Sequence, residues 1–410
     1  MVIALIAALQ FTYILDFMMV MPLGPDLSAA LGFPSDQLGW LSVAYTLASV
    51  LSGLVCARWL DRCQRRPALL VTIALFGLAT LAAVWCHDLP SLLAARALTG
   101  FFGGPMVALG MAVIIDITPP AKRGQAIGRV MIGFSIAAIA GVPLALELAR
   151  WGQWTTPFYA VTGCAVMLWW ATAWLLPPMG DHLLQQHPKV SLLALLKQPR
   201  IRQACGLQAL SQFSAFLVIP SFAAFYVLNL GVPREQLGLL YLTGGIAALI
   251  TLQGLGRLSD RWGSLPAMAL ASVGLIAGLL PLLGGTAWWP VWLPFVLFMA
   301  SNAGRNVALG AATSQVPGPG ERAGFMALQS MVQDLAIASA AMVSSFMLSE
   351  AVGGQLVGMD RVGLLSIGLV ALLLWRCTSW LPRADQPALL NPAASPRQAQ
   401  AHGGVDGGHE

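Results

Sequence analysis

Tyr13-Ile-Leu-Asp-Phe-Met-Met-Val-Met-Pro-Leu-Gly-Pro25 overlaps the first apolar stretch of the chain, Ile3 to Leu23, in which Asp16 is the only acidic residue. An ionised carboxylate at the centre of a membrane helix costs about 3 kcal/mol on insertion scales, so a helix that keeps one usually uses it. Whether Asp16 is such a residue depends on whether the rest of the chain is built for a bilayer.

Composition answers that. Of 410 residues, 57% are hydrophobic and 10% charged, with a mean hydropathy of +0.74, where a soluble domain carries roughly 25% charged residues. A spanning helix needs about 20 mostly apolar residues. Such stretches recur at Ile3 to Leu23, Leu38 to Ala57, Ala68 to Trp85, Leu92 to Ile115, Ile127 to Leu148 and Phe158 to Leu176. They continue at Ala204 to Leu228, Leu237 to Leu255, Ala267 to Leu283, Val291 to Ala312, Phe325 to Met347 and Val362 to Trp380. We read an all-α membrane protein of twelve transmembrane helices.

Positive residues near helix ends are retained on the cytoplasmic side. With the N-terminus inside, the inner loops hold most of the 22 Lys and Arg, and the outer loops only Arg150, Arg234 and Arg361. Both termini are therefore expected in the cytoplasm, with the chain in the bacterial inner membrane. The inward bias also accounts for the net charge of +5 without a nucleic-acid partner. The first helix is too long for a cleavable signal peptide and runs into Pro22-Leu-Gly-Pro25 with no A-x-A-like site.

The polar segment Met179 to Arg202, with Pro188 and Pro199, separates two sets of six helices and leaves room for a short interfacial helix around Ser191 to Lys197. This gives a first half over 1–178, a cytoplasmic linker over 179–202 and a second half over 203–382. Residues 383–410, rich in Pro, Ala, Gln and Gly, form a tail too poor in core residues to order. The halves repeat: Asp61-Arg62 recurs as Asp260-Arg261, 199 positions on, and Arg123 recurs as Arg322 at the same offset. One offset at separate loops marks an internal duplication.

The loop after the second helix reads Ala57-Arg-Trp-Leu-Asp61-Arg62-Cys-Gln64-Arg65-Arg66. It resembles the G-x-x-x-D-R-x-G-R-R motif of the major facilitator superfamily, with Ala57 and Gln64 in place of the two glycines. The second copy, Gly256-Arg-Leu-Ser-Asp260-Arg261-Trp-Gly263, keeps both glycines and lacks the final Arg pair. The resemblance covers residues 1 to 382 and implies two pseudo-symmetric six-helix halves. An acid at the inner end of a helix can cap a neighbour or pair with arginines and so lock the halves in the outward-facing state. Asp61, Arg62, Arg65, Arg66, Asp116, Asp260 and Arg261 are the expected conformational gate; the alternative is a set of solvated topological anchors.

Further residues narrow the resemblance. Arg96-Ala-Leu-Thr-Gly100 looks like the superfamily's R-x-x-x-G pattern, and Gly141-Val-Pro143-Leu144 looks like the G-x-P-L segment of proton antiporters for drugs and sugars, with Ala145 where those carry glycine. Asp16 before Pro22-Leu-Gly-Pro25, and Arg322-Ala-Gly-Phe325-Met326, resemble arabinose-efflux-type permeases.

The resemblance implies that helices one, four, seven and ten line a central cavity. Their polar residues are Asp16, Arg96, Gln208, Gln212, Asn302, Arg305 and Asn306, and Tyr13, Phe17, Phe213 and Phe216 sit close by in sequence. Lipid cannot satisfy such polar groups. Together they make an amphipathic pocket for an aromatic or apolar solute. Asp16 and Arg96 are the expected proton-coupling pair, since a carboxyl that gains and loses an Arg partner in low dielectric exchanges protons. The alternative is a static pair joining helices one and four.

Arg305 lies ten residues off the 199 offset from Arg96 and is not a clean repeat partner; it either serves an anionic or hydroxylated solute or bonds carbonyls. Asp334, beside Gln333 in helix eleven, is a second membrane acid that Arg305 could neutralise. The six cysteines show no C-x-x-C pair, and no G-x-x-x-x-G-K-[ST] loop exists, so neither metal nor direct ATP use is expected. Thr99-Gly-Phe-Phe-Gly-Gly104 reads as close helix packing.

The whole points to a monomeric secondary transporter, not an enzyme, that needs no cofactor beyond a proton gradient and exports a small organic solute. The alternative is a sugar or nucleoside facilitator or symporter in which Asp16 binds substrate.

Overall fold

A computed structural model describes residues 1–60, 63–119, 122–179, 192–284, 290–314, 316–318 and 321–384, without the side chains of 56–60, 123–124, 192–193, 260, 322–323 and 381–384. In lipid, a main chain has no water to bond and closes its hydrogen bonds internally, which makes each long apolar run a helix. The first half contains α1 (Val2–Met19), α2 (Gly24–Leu31), α3 (Gly39–Leu60), α4 (Arg65–Ala82), α5 (Leu89–Ile117), α6 (Arg123–Ile136), α7 (Val142–Trp151) and α8 (Thr156–Leu175). After the short α9 (Leu192–Lys197) come α10 (Pro199–Phe216), α11 (Ile219–Leu228), α12 (Leu237–Trp262), α13 (Ser264–Leu279), α14 (Trp292–Thr313), α15 (Arg322–Met347) and α16 (Met359–Ala384). A two-residue strand β1 (Ser349–Glu350) pairs antiparallel with β2 (Leu356–Val357) between α15 and α16.

Among the described residues, eleven spans are long and apolar enough to cross a bilayer. The twelfth is α14, whose apolar run is diluted by Asn302, Arg305 and Asn306. Three spans are broken, each beside a proline, which lacks an N–H and opens the helical ladder. Pro22 and Pro25 flank the turn between α1 and α2, and Pro220 follows the break between α10 and α11. Pro143 follows a π turn at Ala137–Gly141 between α6 and α7.

The two halves are wired alike. In the first, α5 packs on α3 and α4, α4 on α8, and α1 on α6 and α8; in the second, α14 packs on α12 and α13, α13 on α16, and α10 on α15 and α16. Elements also start in phase: α4 and α13 at Arg65 and Ser264, α6 and α15 at Arg123 and Arg322, both 199 residues apart. The fold is therefore two pseudo-symmetric six-helix halves.

The halves meet along two seams, α3 on α15 and α12 on α7 with the π turn. An even number of spans puts both chain ends on one face, the terminal face. Among the described residues, contacts between the halves run from the opposite face to mid-span. Trp40 and Phe346 meet edge to face at 5.4 Å, and α2 packs on α11. The protein is closed on the face opposite its termini.

Candidate transport site

Asp16 of α1 lies at the centre of the first half and is 0% exposed. Arg96 of α5, 1% exposed, donates from Nη1 to Asp16 Oδ2 at 2.8 Å and from Nη2 to the Asp16 carbonyl at 3.0 Å. Thr80 Oγ1 adds a 3.4 Å bond to Oδ1, and the Tyr45 ring lies 4.5 Å from the guanidinium carbon. Gly100 makes this approach possible, because a Cβ there would stand 2.1 Å from the Tyr45 carbonyl oxygen. The glycine-rich run in α5 is thus close packing, one helical turn from the arginine it serves.

The residues expected to bind solute fall into two groups. In one, Tyr13 and Phe17 of α1 pack on Tyr45 at 5.8 and 5.1 Å, and Phe17 reaches Phe216 of the other half at 6.3 Å. Phe213 packs against the main apolar core. In the other, Gln208 Nε2 donates to Gln333 Oε1 at 3.3 Å and Gln212 Nε2 to Asn306 Oδ1 at 3.4 Å. Gln329 Nε2 extends the network to Thr313 Oγ1 at 3.2 Å and Gln208 Oε1 at 3.5 Å. Gln329 and Thr313 escape the sequence reading; the signal for Gln329 was its position four residues before Gln333 in an otherwise apolar helix.

Arg305 is 0% exposed. It donates from Nη1 to Ser214 Oγ at 2.8 Å, and from Nη2 to the Ser211 carbonyl at 2.7 Å and Asn302 Oδ1 at 3.1 Å. Despite the ten-residue mismatch, it contacts α10 as Arg96 contacts α1, through one carbonyl and one side-chain oxygen. It does not neutralise Asp334. That carboxylate accepts from Ser49 Oγ of α3 at 3.2 Å, because its side of α15 faces the seam while Arg305 faces α10.

At the terminal face, Asp116 pairs with Arg65 through a 3.2 Å contact, and the Arg65 N–H donates to the Met179 carbonyl. Arg66 instead donates to the Ala173 carbonyl at the end of α8, so it stands apart from Asp116. Asp61 and Arg62 lie outside the described residues, as does the side chain of Asp260; Arg261 is exposed. Gly141, before Pro143, faces Leu15 and Phe11 of α1. A cavity of about 600 Å³ lies on the terminal-face side of Asp16, lined by Ala4, Ala7, Phe11, Arg129, Gly133 and Ile136 among others.

The opposite face carries a contact that the sequence reading passed over. Arg234 Nε lies 2.8 Å from both carboxylate oxygens of Asp26, joining the start of α2 to the turn before α12. Beside it, the Ser35 N–H donates to the Glu350 carboxylate, again across the halves.

Comparison with known proteins agrees with this architecture. A chloramphenicol resistance protein of Streptomyces lividans is 27% identical over 293 residues, 71% of this chain and 70% of that one. A 3-(3-hydroxy-phenyl)propionate transporter of Escherichia coli (strain K12) is 29% identical over 295 residues, 67% of this chain and 71% of that one. The crystal structure of the nucleoside transporter NupG superposes with a TM-score of 0.72 at 14% identity, covering 93% of this chain and 100% of that one, a likeness of fold. The model of the Major Facilitator Superfamily matches residues 6–341. With its repeated halves and central polar residues, the chain belongs to the Major Facilitator Superfamily.

Proposed function

We propose that this transporter exports small, amphipathic aromatic compounds in exchange for protons, by alternating access. It works as a monomer without bound cofactor, in the bacterial inner membrane with the terminal face in the cytoplasm. The observation that carries this reading is that α10 joins an aromatic cluster, Tyr13, Phe17 and Phe216, to an amide cluster, Gln208, Gln212 and Asn306, with Phe216 one helical turn from Gln212. A flat ring can pack against the first while hydroxyl or amide groups exchange hydrogen bonds with the second, whose side chains both donate and accept. The chloramphenicol-linked relative suggests that drug, a neutral arene bearing hydroxyls and an amide, as the first solute to try.

In this reading Asp16 and Arg96 hold the coupling charge of the first half, and Arg65 with Asp116 forms part of the terminal-face gate. The Asp61 and Asp260 loops complete that gate. Closure at the opposite face corresponds to the cytoplasm-facing state, and the cavity along α1 and α6 lies on its open side. The second reading, a facilitator or symporter for sugars or nucleosides, draws on the same amide cluster, whose neutral groups suit hydroxyls.

Proteoliposomes with an acidic lumen separate the two. The expected result is accumulation of labelled chloramphenicol that a protonophore abolishes. Uptake of nucleosides or sugars that merely equilibrates, whatever the pH gradient, would establish the facilitator instead.

A further inference from the structure

Asp334 is a carboxylate near the middle of its span, and its surroundings differ from those of Asp16. Asp16 is sealed from solvent and already holds Arg96 and Thr80. Asp334 is only half-buried, and its one described hydrogen bond comes from Ser49 Oγ, on the other half of the protein. Ser49 Oγ in turn lies 3.5 Å from the Tyr13 hydroxyl of the aromatic cluster. A string of three ionisable or hydroxyl groups therefore runs from the aromatic cluster on α1 through α3 to α15.

The directions of these bonds depend on the proton. With Asp334 ionised, Ser49 donates to it, so Tyr13 must donate to Ser49. With Asp334 protonated, the carboxyl can donate to Ser49 and the two hydroxyls can turn round. Tyr13 and, packed on its ring at 5.8 Å, Tyr45 are the next ionisable groups along the string. Of the other elements packed on α15, α10 offers Gln208 and Gln212 at this depth. The charged residues of α9, α10, α16 and the Ser35–Leu38 turn, among them Asp36, Lys197, Arg200, Arg202, Arg361 and Arg376, lie near helix ends.

The repeat shows that this contact is specific to one seam. At the 199-residue offset, Ser49 corresponds to Ala248 and Asp334 to Ser135, so the α12 seam has no acid at that place.

We infer that Asp334 is a proton-binding site of the transport cycle, separate from Asp16, placed where the α3–α15 seam meets the aromatic cluster on α1. On the cytoplasm-facing side its carboxyl releases a proton to cavity water and accepts the Ser49 bond; after reorientation it takes a proton from water on the other side. The inference rests on the proton-coupled reading above.

Infrared difference spectroscopy on the full chain in nanodiscs tests it by following protonated-carboxyl C=O stretching bands as pH is raised. The expected result is a band that disappears with rising pH in wild type and in Asp16→Asn, and is missing from Asp334→Asn. In proteoliposomes, Asp334→Asn should lose gradient-driven chloramphenicol uptake and keep counterflow exchange. A band that persists unchanged in Asp334→Asn would overturn the inference. Ser49→Ala keeps the carboxyl and removes its donor, so a band it does not move would overturn it as well, even if Asp334→Asn fails to fold. Wild-type uptake that ignores the pH gradient would sink the antiport reading, whereas the bands would still decide whether Asp334 binds the proton.

Discussion

Arg96 and Arg305 show what one charge requires in the interior of a membrane protein. Arg96 has the Asp16 carboxylate, while Arg305 rests on a hydroxyl, a carbonyl and an amide. Removing one partner from a buried pair leaves the other uncompensated, at a cost of about 3–5 kcal/mol. Asp16→Asn is therefore expected to lower the thermal stability of the purified protein by that order. Asp16→Asn combined with Arg96→Gln should recover most of the loss, as a double-mutant cycle in matched detergent would show. Ser214→Asp should raise stability, because it gives Arg305 the acid that its counterpart already has. At this scale the sequence was informative where a charge stood alone. Asp16 and Arg96 could be picked out because little else polar surrounds them. Asp334 was equally visible, but its contact with Ser49 was not, since nothing in a single chain tells which side of α15 faces α3.

At the scale of elements, apolar length was enough to locate the spans, and prolines mark each place where a span breaks. The helical turn beyond the first break was not foreseen. The first apolar stretch ends at Leu23, yet α2 forms beyond it with Pro25 at its start, Asp26 in its first turn and Gly32 as a left-handed cap at φ 67°. Glycines set how near the helices come. A Cβ at Gly133 would stand 2.4 Å from the Ala7 carbonyl oxygen. Gly133→Val should thus push α6 from α1 and cost about 1–3 kcal/mol, typical of overpacking, with a matching loss of melting temperature. The start of α5 offers a pH test outside the membrane. Hydrogen bonds from the Ser91 hydroxyl and N–H hold the exposed Asp88 carboxyl below the usual carboxylate range. Its folded value lies under its unfolded one, so the cap contributes in full at neutral pH and is lost as pH falls through the lowered value. The protection factor of the Ser91 amide against hydrogen exchange should fall toward acid pH in wild type and be low at every pH in Asp88→Ala.

For the molecule as a whole, the wiring of one half predicts that of the other, and the duplicated loops announced as much. What the repeat could not reveal is where the halves differ. One seam carries Ser49 and Asp334, whereas the other brings Gly245 of α12 against Ile139 of the π turn, where an added Cβ would stand 2.9 Å from the Ile139 Cα. Nor could loop sequences reveal that Arg234 finds Asp26, 208 residues away. Arg234→Ala should shift the population toward the form open on the opposite face. A part-exposed ion pair is worth roughly 0.5–1 kcal/mol, a change of about two- to fivefold that spin labels on α2 and α11 would read as lengthened distances.

That same contact makes the transporter responsive to the medium bathing one side of the membrane. The side chains of Arg234 and Asp26 are 21% and 25% exposed, so dissolved ions reach them. Their attraction is screened over about 8 Å at physiological ionic strength and about 3 Å in 1 M salt. Brine on the face opposite the termini should weaken the clasp while the same brine on the terminal face leaves it untouched, so that salinity on that one side shifts how often an empty carrier opens toward it.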